Sequence, residues 1–468
     1  MGTGCVVGYI GGVAGEVNGT VAKNTNDGQV ISASPTTTVY VGGVAGKVDA
    51  ETTLTENSNR VNSKIEASNT PKTIYVGGHF GLLDLESFTL EATDAIEFGG
   101  NITCGQCVDS ATLYAGGFVG STNGTLTLKG INRIGDIDVD LARTVTVASF
   151  HIGGIVGGTP EDALTITDST TSGKITIISK DGSTAGVIKG KYYVGGAVGS
   201  TSAGVTLTNV TNATSVAFSA KQDAAKNNPF HMGGVIGAVL DGNAVITDCT
   251  NSAKITNIHY NNRQYDTGYA CDSAGGIAGS CGFSASYAGT VTISGCKSTA
   301  DVTTYRGIVG GIAGFLKNAT VSDCSFTAGI PLNYENTGYG GIVCIAEETT
   351  ITNCTVKGAF SGKSAGSCIF NGGGIAGYIL GESVVDGCSF FGNLTASFNT
   401  NKEKDEYLGG LVGRADEEGI IKNSKYGGSV NGVDITANNF EKYIQGVNVK
   451  TGAASLGTVE NCSYWDGK

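Results

Sequence analysis

The chain has 468 residues, 75 of them glycine against only five prolines. This excludes collagen, which needs a strict triplet and abundant proline, while 40% hydrophobic content argues against disorder. Forty-one acidic against 29 basic residues leave a net charge of −12, which repels phosphate backbones and anionic lipid and excludes nucleic acid as the expected partner. No run of 18 apolar residues is present to span a membrane, and Met1-Gly2-Thr3-Gly4-Cys5 lacks the basic and apolar regions of an export signal, so an exported form is expected to have lost its signal.

Taken in chain order, the sequence repeats. Gly-Gly, two mostly apolar residues and a further Gly recur twelve times, with first glycines at Gly11, Gly42, Gly77, Gly116, Gly153, Gly195, Gly233, Gly275, Gly310, Gly340, Gly373 and Gly409. The mean period is about 36 residues; the copy at Gly340 ends in Cys344, and Tyr443-Ile444-Gln445-Gly446-Val447 is a degenerate thirteenth copy. After each pair comes a short β-branched strand that ends in Asn, Asp or Gly followed by a small anchor residue. The anchors align as Asn24, Asn59, Ala92, Ile131, Ser169, Val210, Cys249, Cys296, Cys324, Cys354, Cys388, Ser424 and Cys462. Three residues before the anchor the column is aliphatic (Val21, Leu128, Ile166, Leu207, Ile246 and onward), as an inward strand position should be. One before it, Gly, Asn or Asp predominate, the types that tolerate a left-handed backbone, so the strand is predicted to bend there. Six after it, an apolar residue such as Val30, Ile65, Ile175, Val216, Ile255 or Leu394 fixes the register; the second and third copies fit worst.

Strands of four to seven residues without helical periodicity cannot bury an apolar face alone, but coils stacked on one another pair each strand with its equivalents. The predicted fold is all-β, a single-stranded parallel β-helix or β-solenoid, of about 13 coils of ~36 residues. It would span residues 1–468 as one domain on the order of 60 Å long at ~4.8 Å per coil. Right-handed crossovers are the expectation for parallel connections.

The repeats resemble the GLUG motif of bacterial surface proteins, which joins a Gly-Gly-Leu-Val-Gly-like segment to an Asn-Cys-Tyr-like turn. The closest stretches are Tyr407 to Gly413 with Asn423-Ser424-Lys425-Tyr426, and Asn461-Cys462-Ser463-Tyr464-Trp465-Asp466. The resemblance implies an exported, cell-surface or secreted protein of adhesin type. Similar repeats also accompany protease domains in some bacterial immunoglobulin A proteases, where the repeats are not catalytic. It carries over no catalytic residues, and His-Glu-x-x-His is absent. A repeat begins within five residues of the start and the last anchor lies six from the end, so the expectation is a segment of a longer protein.

Five cysteines on consecutive coils (Cys249, Cys296, Cys324, Cys354, Cys388) have poor stacking geometry for disulfides and read as small buried hydrophobes. Cys104-Gly105-Gln106-Cys107 is a lone C-x-x-C, two ligands short of a zinc site, and reads as a loop disulfide or two thiols; Cys271 and Cys281 bracket a junction where a disulfide is plausible. His151 and His231 fall in a column two before Gly-Gly otherwise occupied by Tyr9, Tyr40, Tyr75, Tyr114, Tyr193, Tyr407 and Tyr443. They read as members of an aromatic stack, and His79 replaces an aliphatic residue. Paired threonines such as Thr350 and Thr352 form too broken an array for ice binding, with Asp386, Lys422 and Glu460 interrupting it. No metal site and no cofactor are expected.

Length variation is concentrated between the apolar residue after the anchor and the next Gly-Gly, and insertions at one place in each coil project from one face. The richest arc follows Ile255 and Asn257: His259, Tyr260, Asn262, Arg263, Tyr265, Asp266 and Tyr269 are the candidate ligand-binding residues, aromatic platforms beside hydrogen-bonding groups suited to glycan or protein. The leading expectation is a non-enzymatic adhesin or stalk segment that binds host or microbial surface glycans or proteins, its oligomeric state unspecified. The alternative is a polysaccharide lyase or glycosidase, by fold analogy alone. Such chemistry needs carboxylates at a defined separation, whereas Glu161 with Asp162 and Asp416 with Glu417 and Glu418 are sequence neighbours at turns.

Overall fold

The computed structural model describes residues 7–32, 37–50, 52–68, 72–93, 96–107, 112–141, 149–159, 161–178, 190–221, 230–260, 272–305, 307–364, 369–398, 405–448 and 451–467. They fall in two compact units, Met1–Asn228 with Gly234–Val239 and Pro229–Gly233 with Leu240–Lys468. Each unit is a stack of parallel coils, as the repeat predicts, and among the described residues there is no α-helix.

A coil runs through four faces, A to D. In the first coil these are Val7–Gly11, Ala14–Val17, Thr20–Ala22, and Thr25–Asn26 with Gln29–Ser32. Face A of the first unit continues through Thr38–Gly42, Thr73–Gly77, Thr112–Gly116, Ser149–Gly153 and Lys191–Gly195, with the first glycine of every pair opposite its equivalent. In the second unit face A runs from Phe230–Gly233 through Asp272–Gly275, Gly307–Gly310, Gly338–Gly340 and Phe370–Gly373 to Glu406–Gly409 in the same register.

The glycines are required by close approach. At the first glycine of a pair, a Cβ would lie 2.0 Å or less from the carbonyl oxygen three residues on, as at Gly42 with Ala45 and Gly310 with Ala313. At the second, it would strike the equivalent carbonyl of the next coil and the side chain two after the anchor: Gly43 meets Gly78 and Asn59, and Gly341 meets Gly374 and Val356. The closing glycine faces the face A backbone: a Cβ at Gly46 would lie 2.7 Å from Tyr40 O and 2.6 Å from Ile10 N. No ordinary Cβ contact is this short, so the A-to-B corner folds inward where the pair lacks side chains; the closing place is glycine in every copy but one, where Cys344 is accommodated.

The opposite corner uses backbone sign. The residue before the anchor has positive φ at Asp168, Asn209, Asp248, Asp323, Asn353, Asn423 and Asn461, and at Gly130, Gly295 and Gly387; Lys23 adopts it too, at φ 57°. The predicted bend is therefore present. Two anchors are corrected. Val21 pairs with Leu54, and Glu56 takes the left-handed conformation, so the second anchor is Asn57 and not Asn59; Leu90 pairs with Leu128, which makes the third Thr93 and not Ala92. In the second copy, a turn at Val61 and Asn62 precedes Lys64–Ser68, and those extra residues made Asn59 appear six before Ile65.

The anchors do more than fill space. Ser169 and Ser424 donate Oγ–H to the carbonyl two residues back at 2.8 Å. Cys249, Cys296, Cys324, Cys354 and Cys388 donate Sγ–H the same way, at 3.2 to 3.5 Å. Cys296, Cys324, Cys354 and Cys388 are buried free thiols, so no disulfide ladder forms there. Cys104 and Cys107 lie on a strand, Asn101–Cys107, rather than in a loop; Cys281 is buried and Cys271 lies outside the described residues.

Inside, the apolar columns pair as expected, for example Val30, Ile65, Ile102, Ile137, Ile175 and Val216, each nearly or fully excluded from solvent and worth ~1.5–3 kcal/mol in burial. The column two after the anchor carries buried Asn26, Asn59, Phe98, Arg133, Thr171 and Asn212 in the first unit. Asn26 donates Nδ2–H to Asn59 Oδ1 at 2.7 Å, and Asn59 donates on to Gly99 O at 2.6 Å. In the second unit the same column begins with buried Asn251 and Ser298 and then turns apolar, with Phe326, Val356, Phe390 and Tyr426 buried.

The coil count falls short of thirteen. The degenerate copy does not extend face A in parallel: Phe440–Tyr443 is a short 3-10 turn and Val447–Asn448 pairs antiparallel with Tyr407 and Leu408. Faces C and D do continue, through Thr458–Glu460 and Ser463–Tyr464. The missing Gly-Gly explains the departure: Ile444 and Gln445 lie against Leu411 and Val412 and Gly446 against Gly413, so Lys442 and Tyr443 stand in the two glycine places and cannot make the inward corner. Tyr443 therefore leaves the aromatic column.

Candidate functional site

The strand register stacks the aromatic column of the first unit directly. Ring centroids of Tyr9, Tyr40, Tyr75 and Tyr114 are 5.2, 4.9 and 5.1 Å apart with interplanar angles of 8°, 10° and 5°. His151 continues it at 4.6 Å from Tyr114, and Tyr193 follows at 5.1 Å. Rings packed face to face cover one another, so only their edges and hydroxyls reach solvent, and no sugar ring can stack between them. The ladder therefore stabilises the sheet. Burial, joined by the neighbouring phenols, pushes the Tyr75 hydroxyl up to about 12. Burial, with Lys191 nearby, holds His151 down to about 3, hence neutral, while its Nδ1 and Nε2 hydrogen-bond with Ser200 and Ser149 at 2.5 and 2.8 Å. His231, in the second unit, is set edge-on to Phe283 at 4.6 Å and bonds Ser273 at 2.7 Å.

His79 does occupy the aliphatic position expected, and its surroundings are more specific than sequence suggested. Its ring lies 5.1 Å from both Phe98 and Phe118 and 5.9 Å from Phe80. The carbonyls of Asn57 and Glu97 lie near, yet neither ring nitrogen makes a hydrogen bond of good geometry among the described residues. Burial and the Arg133 charge hold it down to about 3. Arg133 is itself buried; its Nε and Nη2 donate to Gly117 O and Gly100 O at 3.0 and 2.5 Å, and Nη1 has no partner among the described residues.

Beside the tyrosines, Lys47 is drawn into three carboxylates: Asp49, Asp84 at 3.0 Å and Glu16 at 3.9 Å. Burial opposes its charge, but hydrogen bonds to Asp49 and Asp84 outweigh it and raise the ammonium. A cleft of about 390 Å³ opens where the third coil is irregular, lined by Val61, Ile96, Glu97, Phe98, Asn132 and Ile134 among others, with Val61 and Ile134 unusually exposed for aliphatics. Sequence reading missed it because it arises from a shifted anchor and carries no motif.

The predicted ligand-binding arc is only partly placed. His259 and Tyr260 end the face D strand Ile255–Tyr260, while Asn262, Arg263, Tyr265, Asp266 and Tyr269 lie outside the described residues. Asn257, at the start of the arc, points inward: it is buried and donates to Thr304 Oγ1 at 3.3 Å. The location of length variation is clear, however. From face A to face B the connection is two residues in every copy from Gly12-Val13 to Gly410-Leu411, whereas from face D to the next face A it varies from one residue, Thr337, to twelve, 179–190. The D-to-A connection thus varies most; B to C ranges from one residue, Asn318, to nine, 282–290, and C to D is two residues in most copies but nine, 92–100, in the third. Of the carboxylates weighed for catalysis, Asp416 accepts from Gly381 N at 3.0 Å within a turn, and Glu161, Asp162, Glu417 and Glu418 are exposed or border that turn. Among the described residues no helix is long and apolar enough to cross a membrane.

Residues 335–361 match the family described as the GLUG motif, spanning Gly340, Gly341 and the Asn353-Cys354 corner, so the chain carries this motif within a β-solenoid. A stretch of 96 residues is 31% identical to an immunoglobulin A1 protease of Streptococcus pneumoniae strain R6, covering 20% of this chain and 5% of that protein. The chain thus aligns with about one twentieth of that relative's length. No solved structure matches.

Proposed function

We propose that the chain is a non-enzymatic segment of an exported surface protein, in which stacked coils display one variable edge to host or microbial glycans or proteins. The observation that carries this reading is the contrast between a fixed two-residue A-to-B corner and a D-to-A connection of one to twelve residues. A scaffold that keeps the A-to-B corner at one length and varies the D-to-A connection most is suited to present that edge. The GLUG match and the partial similarity to a streptococcal immunoglobulin A1 protease support an extracellular setting, and the small share of that protein covered gives no ground for proteolysis.

The test is a glycan and mucin binding array on the purified chain, beside a variant in which 261–271 is replaced by Gly-Ser of equal length. Binding by the parent and its loss in the variant are expected. An array without any bound surface overturns the reading, as does turnover of an acidic polysaccharide by the purified chain.

A further inference from the structure

The C-terminal departure from the repeat builds a second recess. The face D strand Lys425–Val430 turns at Asn431 (φ 47°) and Gly432 into the antiparallel strand Val433–Ile435, and Val447–Asn448 then returns antiparallel along face A. Between these segments lies a cavity of about 380 Å³, whose walls include Phe398, Leu408, Val433, Tyr443, Asn431, Lys442 and Asn448. This is within the usual size of small-molecule sites and has room for one substituted pyranose.

Its chemistry is one-sided. Among the described residues no aspartate or glutamate lines it, although the chain carries an acidic excess of twelve charges. Lys442 is exposed, has no ion-pair partner among the described residues, and holds Nζ 5.4 Å from the centre of the Tyr443 ring. Asn431 uses Oδ1 to accept from Ala396 N at 2.8 Å, which turns that oxygen away from a ligand and leaves the amide to donate. Asn448 is fixed by Asp405 at 2.7 Å, so the wall it forms is preset. Half-buried Phe398 and Tyr443 with exposed Val433 supply an apolar floor. Donors above an apolar aromatic floor select a ring that carries acceptors and negative charge.

We propose that this cavity binds a carboxylate-bearing pyranose, a sialic or uronic acid residue of a glycan, with its carboxylate at Lys442 and its ring against Tyr443 and Phe398. This names a ligand class for the recognition function proposed above, on the last D-to-A connections of the variable edge and built from residues other than 261–271.

Titration calorimetry of the full chain with 3′-sialyllactose, a digalacturonate and lactose tests it, the first two separating sialic from uronic acid. At least one acidic sugar is expected to bind ten-fold or more tighter than lactose. Lys442→Glu should weaken that binding ten-fold or more, Lys442→Arg should restore it, and Val433→Trp, which fills the mouth from an exposed position, should abolish it, all with unchanged thermal unfolding. Equal binding of lactose and the acids, acid binding that survives both Lys442→Glu and Val433→Trp, or no acid binding at all overturns the proposal. Array binding that persists in Val433→Trp removes this cavity from the recognition function and leaves the rest of the variable edge standing. Acid binding lost in Val433→Trp, by a chain that attaches to no host or mucin surface, leaves the cavity and removes the adhesive role.

Discussion

Replacement of Gly341 by alanine tests the physical basis of the repeat. The new Cβ would lie 2.1 Å from Gly374 O and 2.6 Å from Val356 Cγ1, against an ordinary contact of 3.4–4 Å, so the next coil must retreat by more than 1 Å. The obstacle is backbone, which no rotamer change relieves. Retreat strains the ladder bonds at this level, Gly311 N to Gly340 O at 3.1 Å and Ile342 N to Ile375 O at 2.9 Å, each worth ~0.5–1.5 kcal/mol net. With an overpacking cost of ~1–3 kcal/mol the expected loss is about 3–5 kcal/mol, a large share of the ~5–15 kcal/mol typical of a folded domain. In urea, with a slope of ~2–3 kcal/mol/M, the midpoint should fall by roughly 1.5 M. Trp465, the single tryptophan, lies in the same unit and is buried, so its fluorescence reports that transition. Gly28 is the control: its nearest contact for a Cβ is Asn26 Oδ1 at 3.8 Å, and Gly28→Ala should be neutral or stabilising by ~0.4–1 kcal/mol, read by circular dichroism. If Gly341→Ala unfolds within 1 kcal/mol of the parent, close approach is not why the glycine is there.

Acid should destabilise the first unit through its buried histidines. His79, held near 3 when folded, regains an ordinary value near 6.5 on unfolding, so its neutral burial costs nothing above pH 6.5 and is penalised as pH falls toward 3, at ~1.4 kcal/mol per pH unit. His79→Leu should therefore lose about 2–3 kcal/mol less than the parent between pH 6.5 and 4.5; parallel stability curves would refute this. Asn59→Ala should cost about 2–4 kcal/mol in chemical denaturation, because Asn26 Nδ2 and Gly99 O are left unpaired in the interior. Cys354→Ser should cost no more than ~1 kcal/mol, since serine makes the same two-back hydrogen bond at Ser169 and Ser424, while Cys354→Phe should cost ~3 kcal/mol by overpacking. Burial pushes the Cys344 thiol up to about 12, so it should resist a disulfide reagent until the protein unfolds, and rapid native labelling would contradict its place in the structure.

Sequence alone determined the coil. The Gly-Gly pairs, the aliphatic column from Val21 to Val459 and the left-handed corners from Asp168 to Asn461 each need one residue type at one place, and stacking repeats that need at a fixed period, so a single chain displays it many times over. The tertiary structure decided what depends on neighbours from other coils. The second anchor moved to Asn57 because strand pairing outranks the spacing to Ile65; the aromatic column became a closed ladder because its rings meet face to face; and the chain left the repeat where Lys442 and Tyr443 stand in place of the two glycines. The two recesses are of the same kind. Val61 with Ile134, and Val433 with Tyr443, are remote in sequence and ordinary in type, and only the folding of one coil against an irregular neighbour gives them a shared surface.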